Sequence, residues 1–207
     1  MQIKTDQFKH EIKEHGNYNF PFLVSNEKLS KYESGSFLWH WHPEIELTIV
    51  TNGQMLYKVN TESYFLRHGQ ALFGNSSSLH AGCMFDHQDC EYISITFDPK
   101  LIYGYDNSMI YIKYVKPIIQ NFSLAAIHFD LSAAWHQDMI CIIQDMIQID
   151  SEKYMTYELD ILTKLEGFWK LLFLTRIKQR LRYLLTRNHT TEYVILFHLL
   201  RAITPPD

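Results

Sequence analysis

Between Phe20 and Pro99 the chain breaks into short segments that alternate apolar and polar residues, separated by turn residues every 8–12 positions. That spacing describes a sequence of antiparallel strands closing into a sandwich or barrel, and it excludes a helical bundle over this stretch. The candidate strands are Phe22–Lys31, Phe37–His42, Glu46–Thr51, Gln54–Val59, Glu62–Arg67, Gln70–Gly74, Ser78–Met84 and Tyr92–Phe97. Glu33-Ser34-Gly35, Thr51-Asn52-Gly53, His68-Gly69 and Asn75-Ser76 supply the turns. The 13 Tyr, 13 Phe and 4 Trp fit such sheets, because rings pack well on pleated, half-buried surfaces. No internal repeat or low-complexity segment interrupts the pattern.

After Pro99 the pattern is irregular to about Asp130 and then becomes helical. Leu131, Ala134, Trp135, Ile142, Met146 and Ile149 recur at helical steps, with Asp130 or Ser132 as the expected N-cap. Ser151-Glu152 is expected to open a second helix that carries Ile161, Leu165, Trp169 and Leu172 on one stripe and ends near Asn188. Met139, Met146 and Met155 read as helix core. The expected organisation is an N-terminal arm (1–19), polar and at most locally helical, a barrel (20–130), a helical hairpin (131–188) and an irregular tail (189–207). The apolar stripe is wider than one packing contact needs, about 100°. The surplus makes Ile161, Leu165, Trp169 and Leu172 the expected interface of a homodimer.

Charge and cysteine content narrow the function classes. The net charge of −4 argues against a general polyanion binder, although residues 1–166 carry −9 and residues 167–207 carry +5. The basic face from Lys170 to Arg187 reads equally as a solvated helix face or as a surface for an acidic partner. No stretch approaches the roughly 20 apolar residues of a membrane span, and the polar N-terminus has no signal-peptide core. Cys83, Cys90 and Cys141 form no CxxC pair and read as free thiols of a cytoplasmic protein. Asp86, His87 and Asp89 read as a solvated loop. Trp39 and Trp41 lie on the strand face opposite the neighbouring histidines and read as packing residues.

The chemistry concentrates in one constellation. His40 and His42 alternate on a strand and share a face, Glu46 opens the next strand, and His80 lies on a later one. Three imidazoles and a carboxylate suit Zn²⁺, Ni²⁺, Mn²⁺ or Fe²⁺ with one or two open positions. The same four residues suit a metal-free ligand pocket. Glu44, in the Pro43-Glu44-Ile45 turn, is expected to be exposed, and no further positioned acid or base is evident.

Gly35, His40-x-His42, Glu46 and Gly53 resemble the first cupin motif. Gly69, Asn75, Ser77 and His80 are similar to the second. They depart at Asn75 and Ser77, where cupin enzymes usually carry Pro and Gly, and again at Met84, where Asn is usual. FPFLVSNEKL, WHWHPEIELTIVTNG, GQALFGNSSSLH and CEYISITFDPKLI narrow the likeness. Together they resemble the N-terminal sensor domain of AraC/XylS-type transcriptional regulators, in which Asn-Ser before Leu-His is ordinary. The likeness runs from about Phe20 to Leu185 and takes in YVKPIIQNFSLAAIHFD. It implies a mainly β fold with C-terminal α structure: a cupin barrel (a double-stranded β-helix, or jelly roll) followed by a helical hairpin.

By the same likeness His40, His42, Glu46 and His80 bind a small-molecule effector, the hairpin makes a homodimer, and the chain is not an enzyme. DNA is a partner only through a C-terminal pair of helix-turn-helix units. Thr190–His198 does not match such a unit, so that part is expected to be missing, as in a sensor fragment or a truncated reading frame. The alternative is a small metal-dependent cupin enzyme, a dioxygenase or isomerase, using the same four residues as metal ligands.

Overall fold

The computed structural model describes residues 1–186, with side chains through Gln179. The predicted tail (189–207) lies outside the described residues. Nine strands form two antiparallel sheets among the described residues. They are β1 (Phe22–Lys28), β2 (Ser36–His40), β3 (Ile45–Asn52), β4 (Gln54–Val59), β5 (Glu62–Arg67), β6 (Ala71–Gly74), β7 (His80–Met84), β8 (Glu91–Phe97) and β9 (Ala126–Phe129). One sheet has the order β1-β8-β3-β6-β9 and the other β2-β7-β4-β5. Non-consecutive strands sit side by side in both, as a jelly roll requires.

Phe37, Met55, Tyr57, Leu66, Leu72 and Tyr92 pack together in the barrel interior, whereas Leu47, Phe73, Ile95 and Phe97, which have no exposed surface, alternate to the other face of the five-stranded sheet. Burying each such side chain contributes about 1.5–3 kcal/mol. Tyr57 pairs with Gly82 across β4 and β7. A Cβ on Gly82 would come within 2.5 Å of the Phe37 ring and 2.7 Å of Met55 Cε, so only glycine fits beneath that ring.

The expected strands are present with shifted ends. β1 stops at Lys28, and Leu29–Lys31 forms a 3₁₀ turn. β2 stops at His40, so His42 lies just beyond a regular strand. β9 was hidden in the irregular stretch. It pairs with β6, and the preceding segment is tied down by Asn75, whose Nδ2 donates to the carbonyls of Ile118 and Leu124. Asn75 is thus a structural residue, which accounts for its departure from the enzyme pattern.

The segment between β8 and β9 contains α1 (Lys100–Tyr103), a π turn (Tyr111–Val115) and α2 (Lys116–Ile119). Two longer helices follow, α3 (Ala134–Glu152) and α4 (Tyr157–Thr186). The N-cap of α3 is Ala133, in place of the expected Asp130 or Ser132. Asp130 acts from outside the helix, accepting from Ser132 N–H, the Ser132 hydroxyl and His136 Nδ1. The buried stripe of α3 is His136, Met139, Ile140, Ile143 and Met146, rotated from the expected one. Ser151 and Glu152 close α3 rather than opening the next helix, because Lys153 adopts a left-handed conformation there. Met155 is 97% exposed in the linker and is not core. Lys164 Nζ pairs with Asp145 Oδ2 at 2.7 Å, joining α3 to the first turns of α4.

The chain divides into two compact units, residues 1–165 and 166–207. The expected dimer stripe falls on both. Ile161 and Leu165 in the first, and Trp169 and Leu172 in the second, are each at most 2% exposed in the single chain.

The N-terminal arm departs most from expectation. It contains no helix. Thr5 bridges Glu11, and His10 bridges Trp41. Glu11 N–H donates to Trp41 O, Trp41 N–H to Lys9 O, and the Trp41 indole N–H to Phe8 O, all near 3 Å. The Trp41 ring also packs on His10 at 4.6 Å. Trp41 therefore fastens the arm across the barrel mouth.

Candidate functional site

His40 and His80 are direct partners in the β2–β7 ladder, with a register shift between Phe37 and His40. Their rings meet edge to face at 4.1 Å, and His42 lies 5.1 Å from His80. Glu46 comes from the other sheet and brings its Oε2 to 3.5 Å from His42 Nε2 and 3.9 Å from His80 Nε2. The structure thus brings all four expected residues together, and nitrogens of the three imidazoles converge within 4.8 Å.

Neighbouring groups fix their orientation. His40 Nδ1 lies 2.9 Å from Leu38 O, and His80 Nδ1 the same distance from Ser78 O. A carbonyl accepts only, so Nδ1 carries the proton in both rings and the Nε2 lone pair faces inward. Glu46 Oε1 accepts from the hydroxyls of Tyr57 (2.6 Å) and Thr48 (2.8 Å), leaving Oε2 for the imidazoles. The Tyr57 ring stacks beneath His80 at 6.0 Å. These are the outer contacts that orient metal-binding histidines and carboxylates, and the buried Nε2 atoms of His42 and His80 have no hydrogen-bond partner among the described residues. The donor set therefore fits a divalent transition metal.

A second group of residues escaped the sequence reading. Glu11 and His15 of the arm are buried against the histidines. Glu11 Oε2 lies 3.2 Å from His15 Nε2 and 3.8 Å from His40 Nε2. Glu44 was expected to be exposed, yet its side chain is only 21% exposed. Its Oε2 sits 3.3 Å from His42 Nδ1 and 3.5 Å from His15 Nδ1. The turn bearing it is held inward by Ser77 N–H donating to His42 O and by the Ser76 hydroxyl donating to Pro43 O. The available signal was the pairing of Glu11 and His15 four residues apart, together with a tryptophan at position 41 offering its opposite face to another segment.

The electrostatics separate the histidines. Burial disfavours the charged form of His42, but carboxylates at both of its nitrogens outweigh this and raise its pKa to about 9. His15 is also raised: burial opposes its charge, and Glu11 and Glu44 overcome it. Burial drives His80 down to about 3 against the attraction of Glu46, and burial also lowers His40. Burial works to raise Glu11, Glu44 and Glu46, yet their imidazole neighbours hold all three below the usual carboxylate range. The three carboxylates thus favour the charged forms of His15 and His42.

A cavity of about 420 Å³ opens above this floor. Its walls include Tyr32, Phe37, Tyr92, Ser94 and Thr96 of the barrel and Gln2, Lys4 and Lys13 of the arm. Trp39, Asp86 and His87 do not line it. Asp89 is occupied elsewhere, accepting from the backbone N–H groups of Ser30 and Cys90. Cys83, Cys90 and Cys141 are free thiols.

Two sheets in jelly-roll order, with the HxH pair and Glu46 at one mouth, define a cupin-type barrel. Residues 30–134, half of the chain, match the family model described as the AraC-like ligand binding domain, and the chain belongs to that family. It is 26% identical over 165 residues to an uncharacterised HTH-type transcriptional regulator, YdeC, of Bacillus subtilis (strain 168), covering 80% of this chain and 56% of that protein. The chain therefore spans about half the length of that relative. Among solved structures, AerE from Microcystis aeruginosa is 24% identical, with a TM-score of 0.34 over 37% of this chain and 35% of its own. A cupin-2 domain protein from Shewanella frigidimarina is 20% identical, with a TM-score of 0.31 over 36% and 68%. Among the described residues no helix is long and apolar enough to cross a membrane.

Proposed function

We propose that this chain is the effector-sensing part of an AraC-type transcriptional regulator of the cytoplasm. A small polar molecule enters the barrel and contacts the floor made by His40, His42, Glu46 and His80. The observation that carries this reading is the 420 Å³ cavity, which is the size of a small-molecule site and is closed on one side by the arm. In the complete regulator, DNA binding belongs to a separate helix-turn-helix part, and sensing requires no turnover. Self-association belongs to the same reading. Sedimentation of the purified chain should show a dimer, and a monomer at tens of micromolar would remove that element.

A thermal-shift screen of small carboxylic acids, sugars and polyols tests the sensing role. A ligand at a hundredfold excess over its Kd stabilises by about 2.7 kcal/mol, which shifts Tm by several degrees. The expected result is a hit on the wild type that His80→Ala loses. Equal shifts in both proteins would place binding outside the barrel.

One observation favours an enzyme as the second reading: the inward Nε2 atoms are accompanied by Glu11, His15 and Glu44, which are acid and base groups within reach. In that case His40, His42, Glu46 and His80 hold Zn²⁺, Ni²⁺, Mn²⁺ or Fe²⁺, and the metal supplies Lewis-acid or oxygen chemistry. Metal-dependent oxygen consumption abolished by His42→Ala would establish it over the sensor.

A further inference from the structure

We propose that His15 Nδ1, His42 Nδ1 and Glu44 Oε2 form a second divalent-metal site of zinc-like preference, set between the N-terminal arm and the Pro43–Glu44 turn. The argument begins with spacing. Zn–N and Zn–O bonds of about 2.0–2.2 Å at tetrahedral angles place ligand atoms about 3.3–3.5 Å apart. Glu44 Oε2 lies 3.3 Å from His42 Nδ1 and 3.5 Å from His15 Nδ1, and the two rings are 4.7 Å apart between centroids.

The second observation is independent of spacing. His15 Nδ1, His42 Nδ1 and Glu44 Oε2 are all buried, and none has a hydrogen-bond partner among the described residues. His15 is 8% and His42 3% exposed. Two simple ion pairs would align each N–H with a carboxylate oxygen. Here one carboxylate oxygen, Glu44 Oε2, stands within ion-pair distance of both nitrogens, and none of the three atoms completes a hydrogen bond. A cation set among them would satisfy all three at once.

The surroundings complete the arrangement. Glu11 Oε2 lies 3.2 Å from His15 Nε2, and Glu46 Oε2 lies 3.5 Å from His42 Nε2. Each imidazole that offers Nδ1 to a metal therefore has a carboxylate at its other nitrogen, the pairing that fixes the tautomer and raises ligand basicity. Three protein ligands leave a fourth position open. A neutral imidazole has one free lone pair, so a metal bound at His42 Nδ1 leaves His40, His80 and Glu46 as the metal donors of the barrel floor. Bound metal would also tie the arm to the barrel, because His15 comes from one and His42 and Glu44 from the other.

The test is a metal titration of the chelator-treated, tag-free chain. Zn²⁺ affinity is read by competition with a chromophoric chelator, and Co²⁺ geometry by its visible absorption. The wild type should bind Zn²⁺ and give a tetrahedral Co²⁺ spectrum. His15→Ala and Glu44→Gln should each lower affinity by well over 10-fold, and Glu11→Gln by about 10-fold. His80→Ala should leave this affinity unchanged. His15 lies on the arm, outside the core, and circular dichroism of its variant should match the wild type. Two metals per chain, with one lost in His15→Ala and the other in His80→Ala, would also support the site. No binding by the wild type would overturn the proposal. So would loss on His80→Ala with none on His15→Ala, or a single metal that needs both residues. None of these outcomes bears on the thermal-shift screen for an effector.

Discussion

The floor of the site and its rim are built by different means. Glu46 and His80 stand on strands paired on both sides, and His40 stands on the edge strand β2, paired with β7. Glu11 and His15 stand on an arm without regular structure, held through Trp41 and, at its start, through Met1 and Gln2. Both groups end within a few ångströms of His42, yet removing a strand contact should cost global stability, whereas removing an arm contact should cost only local order. The chemistry is thus shared between a rigid part and a part that is able to open.

The largest effect should come from the rigid part. Phe97→Ala, at the end of β8 where the ring is fully buried, should lower unfolding free energy by about 3–5 kcal/mol in denaturant melts. A cost below 1 kcal/mol would mean that the ladder does not carry the fold.

Next in size is the pH response of the metal-free chain, which joins the two parts at His42. Its charged form is favoured by the fold, so that stabilisation is complete below pH 6.5 and is lost as pH rises to about 9. A shift of this size corresponds to about 3 kcal/mol. His80 acts in the opposite direction. It stays neutral in the fold down to about pH 3, so stability falls as pH drops from 6.5 toward 3. The lowered Glu11 and Glu44 add to that loss below about pH 4.5. Glu44→Gln should flatten the alkaline limb and leave the His80 contribution in place.

Gly82→Ala should then cost about 1–3 kcal/mol, because its methyl would be driven into the Phe37 ring and Met55. Trp41→Ala should cost the least, about 1 kcal/mol, through the indole bond to Phe8 and the contact with His10. Its signature should be regional: faster amide exchange over residues 5–15, with β3 and β8 unchanged. Equal acceleration in the strands would erase the distinction between arm and barrel.

The same contrast explains what could be read from the sequence. Strands announce themselves by alternation, so β4 and β5 were legible to the residue, and the grouping of His40, His42, Glu46 and His80 followed from side-chain period and spacing. The arm has no period. Its course depends on Trp41, a residue distant in sequence, and nothing local in Glu11 or His15 shows that pairing. Glu44 was misread because turn residues usually face solvent, and only the Ser76 and Ser77 contacts of another turn pull it inward. β9 has only four residues and depends on Asn75. The helical stripe was legible as apolar, and Ile161, Leu165, Trp169 and Leu172 are indeed buried.

The central claim is that strand-built floor and arm-built rim form one electrostatically coupled site. Its most direct test is a pH titration of the histidine ring nitrogens by ¹⁵N NMR in the metal-free chain. The account predicts that at neutral pH His42 is cationic while His80 is neutral, with His42 losing its proton near pH 9, His80 gaining one only near pH 3, and His15 titrating above an ordinary imidazole. Titration of all three rings together near pH 6.5 would contradict it.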